Sequence, residues 1–133
     1  AASGVEAHAI CVHLGLREAH RRRQIDLLGE LIHQDVPPAA PLIVAGDFND
    51  WRGRGHTQLA SCGLREVFMS AHGRLPRTFP ARWPVVPLDR IYVRNVEVTE
   101  VAILSSRPWS HLSDHASLLA TLDIGASDPG VPR

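Results

Sequence analysis

The sequence contains no lysine: all 14 of its basic residues are arginines, and 14 acidic residues balance them to a formal net charge of zero. The absence of lysine excludes a Schiff-base enzyme, a lysine general base and a P-loop, whose lysine must reach the phosphates. A neutral chain also lacks the overall field that marks many nucleic-acid and membrane binders. Any recognition of phosphate must therefore be local.

Cysteine and long apolar runs are equally scarce. Cys11 and Cys62 lie far apart without C-x-x-C spacing, which argues against a disulfide framework and a zinc knuckle. Cys11 lies in an apolar run and is expected to be a small buried residue, which favours a reducing compartment and a cytoplasmic location. No apolar run approaches the roughly 18 residues of a membrane-spanning helix, so no membrane span is expected.

Length and composition predict one globular domain. The chain has 133 residues, of which 44% are hydrophobic and 21% charged. These values are ordinary for a folded domain with its own core and exclude a disordered, collagen-like or coiled-coil chain. Residues 125–133 are small, polar or proline, so we expect a domain over residues 1–124 followed by a flexible tail.

Hydrophobic periodicity predicts alternating strands and helices. A strand, an amphipathic helix and a short strand buried on both faces follow one another over about 40 residues, which predicts a sheet covered by a helix. Four prolines make residues 72–88 a long ordered loop. The predicted strands cover residues 7–14, 42–45, 89–93, 96–104 and 115–123, the predicted helices cover 18–34 and 57–62, and residues 64–69 fit either type.

The most informative local feature is a carboxylate and a carboxamide at the end of the buried strand. Asp47 and Asn49 follow residues 42–45 directly. Open α/β sheets present functional groups at the carboxyl ends of their strands, so both side chains are expected to face a common cleft. Gly-Asp-x-Asn alone is also an ordinary turn sequence, since Asp and Asn readily bond to their own backbone.

Two further acids lie at strand ends. Asp89 begins an apolar strand, an unfavourable position for a carboxylate unless a partner pairs with it. Asp114 and His115 precede the last strand and could supply that partner. An aspartate bonded to an imidazole fixes its tautomer and favours the charged form, which suits a phosphoryl-transfer site. An isolated Asp-His pair would more simply be a surface loop, but three acid-bearing strand ends in one small domain favour a site.

Together these motifs resemble the endonuclease/exonuclease/phosphatase superfamily, also called the DNase I-like fold. The resemblance covers about residues 7–123 and includes the helix sequence Arg22-Arg23-Gln24. Residues 79–93 are most similar to a bacterial subgroup of undefined substrate. The motifs that carry it are His13-Leu14, Gly46-Asp47-Phe48-Asn49, Leu88-Asp89-Arg90-Ile91 and Ser113-Asp114-His115.

The resemblance implies a layered α/β (α+β) fold and a role for each matching residue. The activity implied is divalent-metal-dependent hydrolysis of a phosphodiester or phosphomonoester by in-line attack of water, on a nucleic acid or a small phosphoester. Mg²⁺ or Mn²⁺ is the implied cofactor, in keeping with hard oxygen ligands. By implication, Asp47 activates the water and Asn49 donates to the phosphoryl oxygens. The resemblance also implies that Asp89 holds His115, whose imidazolium stabilises the transition state. Asp114 would help to bind the metal, and His13 would contact the phosphate.

The match also has a departure. Family members run to about twice this length and consist of two similar halves, whereas this sequence begins without methionine or leader and has no glutamate in the metal-anchoring context. We therefore expect the C-terminal half of a four-layer sandwich, one mixed β-sheet with helices on one face, and a weak catalyst on its own. The missing N-terminal half is the expected partner. Without it, the uncovered sheet face would favour a two-fold homodimer.

Several alternatives stay open. His111 to His115 resembles an H-x-x-E-H zinc motif superficially, but the acid is aspartate and a strand pattern follows where that motif needs a helix. Arg52 and Arg54 follow the Asp47 loop and are candidates for phosphate contact, while the arginines of the first helix are more simply solvated. A catalytically silent interaction module on the same scaffold is the alternative function.

Overall fold

The computed structural model describes residues 5–125. The predicted mixture of strands and helices is confirmed, with boundaries that differ by a few residues. Residues 126–133 lie outside the described residues, so the flexible tail stays a prediction. The elements are β1 (His8–His13), α1 (Glu18–Asp35), β2 (Leu42–Asp47), α2 (His56–Ser61), β3 (Arg65–Glu66), α3 (Val67–His72), β4 (Asp89–Arg94), β5 (Glu97–Leu104) and β6 (Ser117–Asp123), with a short 3₁₀ turn at Trp109–His111.

Four strands form a mixed sheet in the order β1-β2-β4-β3. β1 and β2 are parallel because α1 crosses between them, whereas β4 runs antiparallel to both β2 and β3. The last two strands, β5 and β6, form a separate antiparallel pair rather than extending this sheet. The fold therefore has two sheets instead of the single mixed sheet that the sequence predicts.

The first core lies between the mixed sheet and its helices. α1 buries Ile25, Leu28 and Ile32, whose spacing places them on one helix face. They pack with Leu42 and Val44, the buried side of β2. The helix ends where Val36 and the following prolines leave helical geometry. Leu59 of α2 joins the same core.

The second core lies on the opposite face, where β5, β6 and α3 pack against β4. Val67 and Phe68 of α3 are buried there with Val93 and Val96. The side chain of Glu66 accepts the Met69 backbone N–H at 2.7 Å and caps the first turn of α3. Residues 64–69 fitted both patterns because this segment is a two-residue strand that turns directly into a helix.

β1 leaves one row of side chains uncovered. Ala9, Cys11 and His13 are exposed on the face opposite α1, while Ile10 and Val12 face the first core. The prediction that Cys11 is buried is therefore wrong. Its parity along the strand is that of His13, so it points away from the helix-covered core, and no described element covers it.

Among the described residues, no helix combines the length and the apolar character needed to cross a bilayer.

Candidate active site

Three of the predicted site residues form a row across three neighbouring strands. The register pairs His13 of β1 with Asp47 of β2, and Asp47 with Asp89 of β4. Directly opposed residues project to the same side of a sheet, so all three side chains emerge together. His13 Nε2 lies 3.8 Å from Asp47 Oδ2. Strand pairing alone thus fixes their neighbourhood.

Gly46 permits the close approach of β1 and β2 beneath this row. Its φ is +141°, and a Cβ atom there would lie 2.0 Å from the backbone oxygen of Val12. No side chain fits at that distance, and the conformation itself favours glycine. The glycine before Asp47 is therefore required by the packing of the two strands that carry the site.

His115 reaches the row from the loop before β6. Its Nδ1 bonds to Asp89 Oδ2 at 2.5 Å, and its Nε2 lies 3.9 Å from Asp47 Oδ2. The ring of Phe79 lies beside the imidazole, with centroids 5.1 Å apart. His115 therefore stands between the two carboxylates, with one nitrogen held and the other directed at Asp47.

The proline-rich loop positions both partners of this pair. The Thr78 hydroxyl accepts the Asp89 N–H at 3.1 Å, and the Thr78 carbonyl accepts the Ala116 N–H at 2.6 Å. The Ala81 N–H donates to the Asp114 carbonyl at 2.7 Å. Because Thr78 contacts both segments, it fixes the start of β4 relative to the His115 loop.

Opposing effects act on the pKa of His115. Partial burial lowers it, but the hydrogen bond that the ring donates to Asp89 and the negative charges of Asp89, Asp47 and Asp114 outweigh burial and raise the pKa above its ordinary value. The surroundings thus favour the imidazolium. Three carboxylates around one imidazole leave this region with an excess of negative charge.

Asn49 is held in a strained turn beside Asp47. Its φ is +49°, its backbone N–H donates to Asp47 Oδ1 at 2.9 Å, and its Nδ2 donates to the Leu14 carbonyl at 2.6 Å. The bond to Asp47 is that of the turn expected for Gly-Asp-x-Asn, and the side-chain bond ties this turn to Leu14 at the end of β1. They use one amide hydrogen and leave the second available to a bound group.

A metal ion would find its ligands in the same place. One ligand atom each from Asp47, Asp89 and His115 lies within 4.8 Å of the others. Asp114 is exposed and is not part of this cluster, although its charge acts on His115.

The two arginines predicted to contact phosphate have other neighbours. Arg54 pairs with Glu18 of α1, Nη1 to Oε1, at 2.5 Å. The guanidinium of Arg52 lies over the Trp51 ring, 4.6 Å from its centroid. Neither bonds to the row of site residues, whereas His13, Asp47, Asn49, Asp89 and His115 are brought together.

Beneath the site lies a buried ion pair that was not predicted from the sequence. Arg90 and Asp50 are both buried, and Arg90 Nη1 lies 3.3 Å from Asp50 Oδ2. Arg90 Nη2 also donates to the Asp50 carbonyl. Asp50 in turn accepts the backbone N–H groups of Arg54 at 3.1 Å and Gly55 at 2.7 Å. One indication of this pair was present in the sequence, which is that Arg90 lies at a position of β4 whose side chains face the first core.

The network continues to Tyr92 and His56. The Tyr92 hydroxyl lies 2.9 Å from His56 Nδ1 and 3.5 Å from Arg90 Nη1. Burial, then the positive charge of Arg90, lowers the pKa of His56 despite the opposing charge of Asp50. The surroundings of His56 therefore favour the neutral ring, in contrast to those of His115.

Comparison with known proteins places this arrangement in a family. Residues 2–115 match the model of the endonuclease/exonuclease/phosphatase family. An uncharacterized Escherichia coli protein, YbhP, is 48% identical over 123 residues, which are 92% of this chain and 48% of that protein. The chain thus spans about half the length of this relative.

Solved structures share the same fold. A functionally unknown protein from Enterococcus faecalis is 26% identical with a TM-score of 0.69, covering 90% of this chain and 50% of that one. The human Nocturnin catalytic domain, solved with a bound sulfate anion, is 25% identical with a TM-score of 0.61, covering 85% and 45%. The chain therefore belongs to the endonuclease/exonuclease/phosphatase family and has its DNase I-like fold.

Proposed function

We propose that this chain is the C-terminal half of a divalent-metal-dependent phosphoesterase that attacks a phosphodiester or phosphomonoester with water. The observation that carries the proposal is the convergence of Asp47, Asp89 and His115, with His115 clamped by Asp89 at 2.5 Å. Family membership supports the reaction class, and this convergence supports the choice of residues.

Asp47 and Asn49 act on opposite parts of the reaction. Asp47 accepts the proton of the attacking water, since one of its oxygens bonds to the Asn49 N–H and the other faces the two histidines. The free amide hydrogen of Asn49 donates to a phosphoryl oxygen. Donors that are already oriented stabilise developing charge without reorganisation.

Asp89 and His115 form the positively charged arm of the site. Asp89 fixes the orientation of the imidazole and favours its protonated form, so that Nε2–H, which faces Asp47, can donate to a phosphoryl oxygen bound beside that carboxylate. His13 is exposed at the end of the row and contacts the phosphate or assists the leaving group.

The residues present fit a hard divalent cation. Asp47 and Asp89 supply carboxylate oxygens at the cluster, and Asp114 adds a third carboxylate near His115. Mg²⁺ or Mn²⁺, when bound, polarises the phosphoryl group and stabilises the leaving oxygen. We assign Asp114 to this ion, keep Asp47 as the base and Asp89 as the partner of His115 beside it, and expect the remaining ligands in the proposed N-terminal half of the domain.

The uncovered sheet face is the place for that half. The groove between the mixed sheet and β6 has a volume of about 350 Å³ and is lined by Ala45, Ile91 and Leu118, among others. Beside it, β1 exposes Ala9 and Cys11. An apolar face of this kind requires a cover. The rest of the domain is the proposed cover, and a homodimer is the expected form of the isolated chain.

A cytoplasmic location completes the proposal. The exposed thiol of Cys11 stays free in a reducing compartment.

The decisive test restores the missing half. A chimera carries the part of the E. coli relative outside the match, taken as the N-terminal half, in front of this chain and is assayed with a chromogenic phosphodiester and phosphomonoester, with Mg²⁺ or Mn²⁺. We expect metal-dependent hydrolysis that falls at least about 100-fold in Asp47→Asn and in His115→Ala. Glu30→Gln, on an exposed part of α1, is the matched control and keeps full activity.

The isolated chain separates the remaining possibilities. We expect weak turnover from it, and strong metal-dependent turnover that disappears in Asp114→Ala would contradict its incompleteness. A folded chimera that neither binds metal at millimolar concentration nor hydrolyses either substrate would contradict the phosphoesterase proposal and favour a catalytically silent interaction module.

A further inference from the structure

A second polar pocket lies beside the candidate active site. Its volume is about 220 Å³, and it is formed by the first turns of α1, the start of α2 and the loop before it. Asn49 belongs to the active site and the next residue, Asp50, lines this pocket, so the two share a wall. The charged residues around it are Glu18, Arg21, Arg22, Asp50 and Arg54.

The charges in this pocket do not cancel. Glu18 is paired with Arg54 at 2.5 Å. The carboxylate of Asp50 is already matched by the buried Arg90 at 3.3 Å, behind the pocket wall. Among the residues that line the pocket, the three guanidinium groups of Arg21, Arg22 and Arg54 therefore share the single carboxylate of Glu18. The chain is neutral overall, so this is a local excess of positive charge beside an acidic active site.

The three guanidinium groups surround one carboxylate. The hydrogen bond from Arg54 lowers the pKa of Glu18, and the charges of Arg54, Arg22 and Arg21 lower it further. All three arginines thus lie close enough to act on one point. A phosphate group, with two negative charges and several acceptor oxygens, matches such a cluster better than a singly charged carboxylate.

Arg22 has donors to spare. Arg21 donates to the carbonyls of Gly15 at 3.3 Å and Leu16 at 2.5 Å and so also supports the loop that holds Asn49. Arg22 is exposed, and its side chain has no hydrogen bond or ion pair to any residue within the described range 5–125. A guanidinium presents five N–H donors, which makes Arg22 the side chain most available to an incoming anion.

We propose that this pocket binds a second, uncleaved phosphate group of the substrate. The enzyme would then prefer esters that carry two phosphates over those that carry one. This inference rests on the proposed function for the first phosphate and names the substrate class of that site. The acidic row receives the scissile phosphate together with its metal ion, and the basic pocket receives the other phosphate directly.

The first experiment measures anion binding without catalysis. The chain is titrated with inorganic phosphate in metal-free buffer, where the carboxylates of the active site repel anions, and the arginine side-chain and Gly55 backbone NMR signals are followed. We expect saturable shifts at low ionic strength, and about tenfold weaker binding in Arg22→Ala. Arg23→Ala is the matched control, because Arg23 is the exposed neighbour of Arg22 and does not line the pocket.

The second experiment tests the substrate class. With Mg²⁺ present, calorimetry compares adenosine 3′,5′-bisphosphate with adenosine 5′-monophosphate. We expect the bisphosphate to bind about tenfold more tightly, through one added charge-assisted contact, and Arg22→Ala to remove that advantage.

The phosphate titration bears on the pocket alone, because it involves neither the metal ion nor hydrolysis. The inference is overturned by the absence of saturation with phosphate, by equal losses in Arg22→Ala and Arg23→Ala, or by equal affinity for the two nucleotides. Hydrolysis by the chimera does not enter these readouts. A chimera without activity would therefore contradict the phosphoesterase proposal and leave the pocket result standing on its own measurement.

Discussion

Asp89 and Arg90 are neighbours on one strand, yet each forms an ion pair of a different kind. Arg90 turns into the first core and pairs with Asp50, and the side chains are 0% and 3% exposed. Asp89 turns to the other face and pairs with His115, and these side chains are 20% and 25% exposed. The comparison shows how the alternation of a strand separates two tasks. One pair fixes the loop that follows β2, and the other stays accessible to a substrate.

The largest expected difference between the pairs is in stability. Asp50→Ala leaves the Arg90 guanidinium buried without a carboxylate and the N–H groups of Arg54 and Gly55 without an acceptor. We expect the free energy of unfolding to fall by about 3–5 kcal/mol. Asp89→Ala, the matched variant in the accessible pair, should cost about 1 kcal/mol or less. Urea denaturation followed by circular dichroism measures both, and equal losses would contradict the distinction.

Glu66 sharpens the comparison, because it is a second carboxylate near Arg90 without the contact that Asp50 has. Burial raises its pKa from 4.5 to about 7, although the hydrogen bond from Met69 and the charge of Arg90 act in the opposite direction. An acid whose pKa is raised by folding costs nothing below its unfolded pKa. Its penalty grows between pH 4.5 and about 7 and is complete above that range.

Glu66→Gln should therefore become more stable than the unaltered chain as the pH rises. The expected difference is near zero at pH 4 and reaches about 3 kcal/mol above pH 8. Glutamine retains an oxygen that can accept the Met69 N–H. Thermal or urea unfolding across this pH range measures the difference, with exposed Glu30→Gln as the control. A difference that stays constant with pH would show that Glu66 ionises freely in the folded chain.

The smallest expected effect is a change in the pKa of His115, in the accessible pair. Asp89→Asn removes the carboxylate that holds His115, so the pKa of His115 should fall, because partial burial lowers it and the largest opposing effect is lost. NMR titration of the His115 ring in metal-free buffer measures the change. The signal of His72, which lies elsewhere on α3, should be unchanged. An unchanged His115 pKa would mean that Asp47 and Asp114 alone keep the ring protonated.

The accessible pair was predictable from the sequence, and the buried pair was not. Asp89 and His115 each belong to a recognisable motif, and Asp47 lies at the end of an apolar run that could only be a buried strand. Arg90 lies in such a motif as well, but its partner is 40 residues away in a loop. Nothing in local periodicity indicates which loop carboxylate folds over which strand. Burial of a charge depends on tertiary contacts that a pattern of neighbours does not contain.

Two other differences between the predicted and the observed structure also come from long-range packing. The alternation of β1 places Cys11 on the same, uncovered face as His13. Its apolar neighbours in the sequence led instead to the prediction that it is buried. The strands β5 and β6 were predicted as strands, but their pattern did not show that they pair with each other and pack across β4. Elements follow from local sequence, whereas the choice of sheet follows from long-range packing.

The alternation along β4 also constrains how this protein can change over evolution. Inserting or deleting one residue between Asp89 and Tyr92 would turn each side chain before the change to the opposite face. The guanidinium would then lie among the site carboxylates, and the aspartate would enter the apolar layer under α1 without a counter-ion. Loops on either side can vary in length without this exchange. The spacing within these few positions therefore does not tolerate an indel.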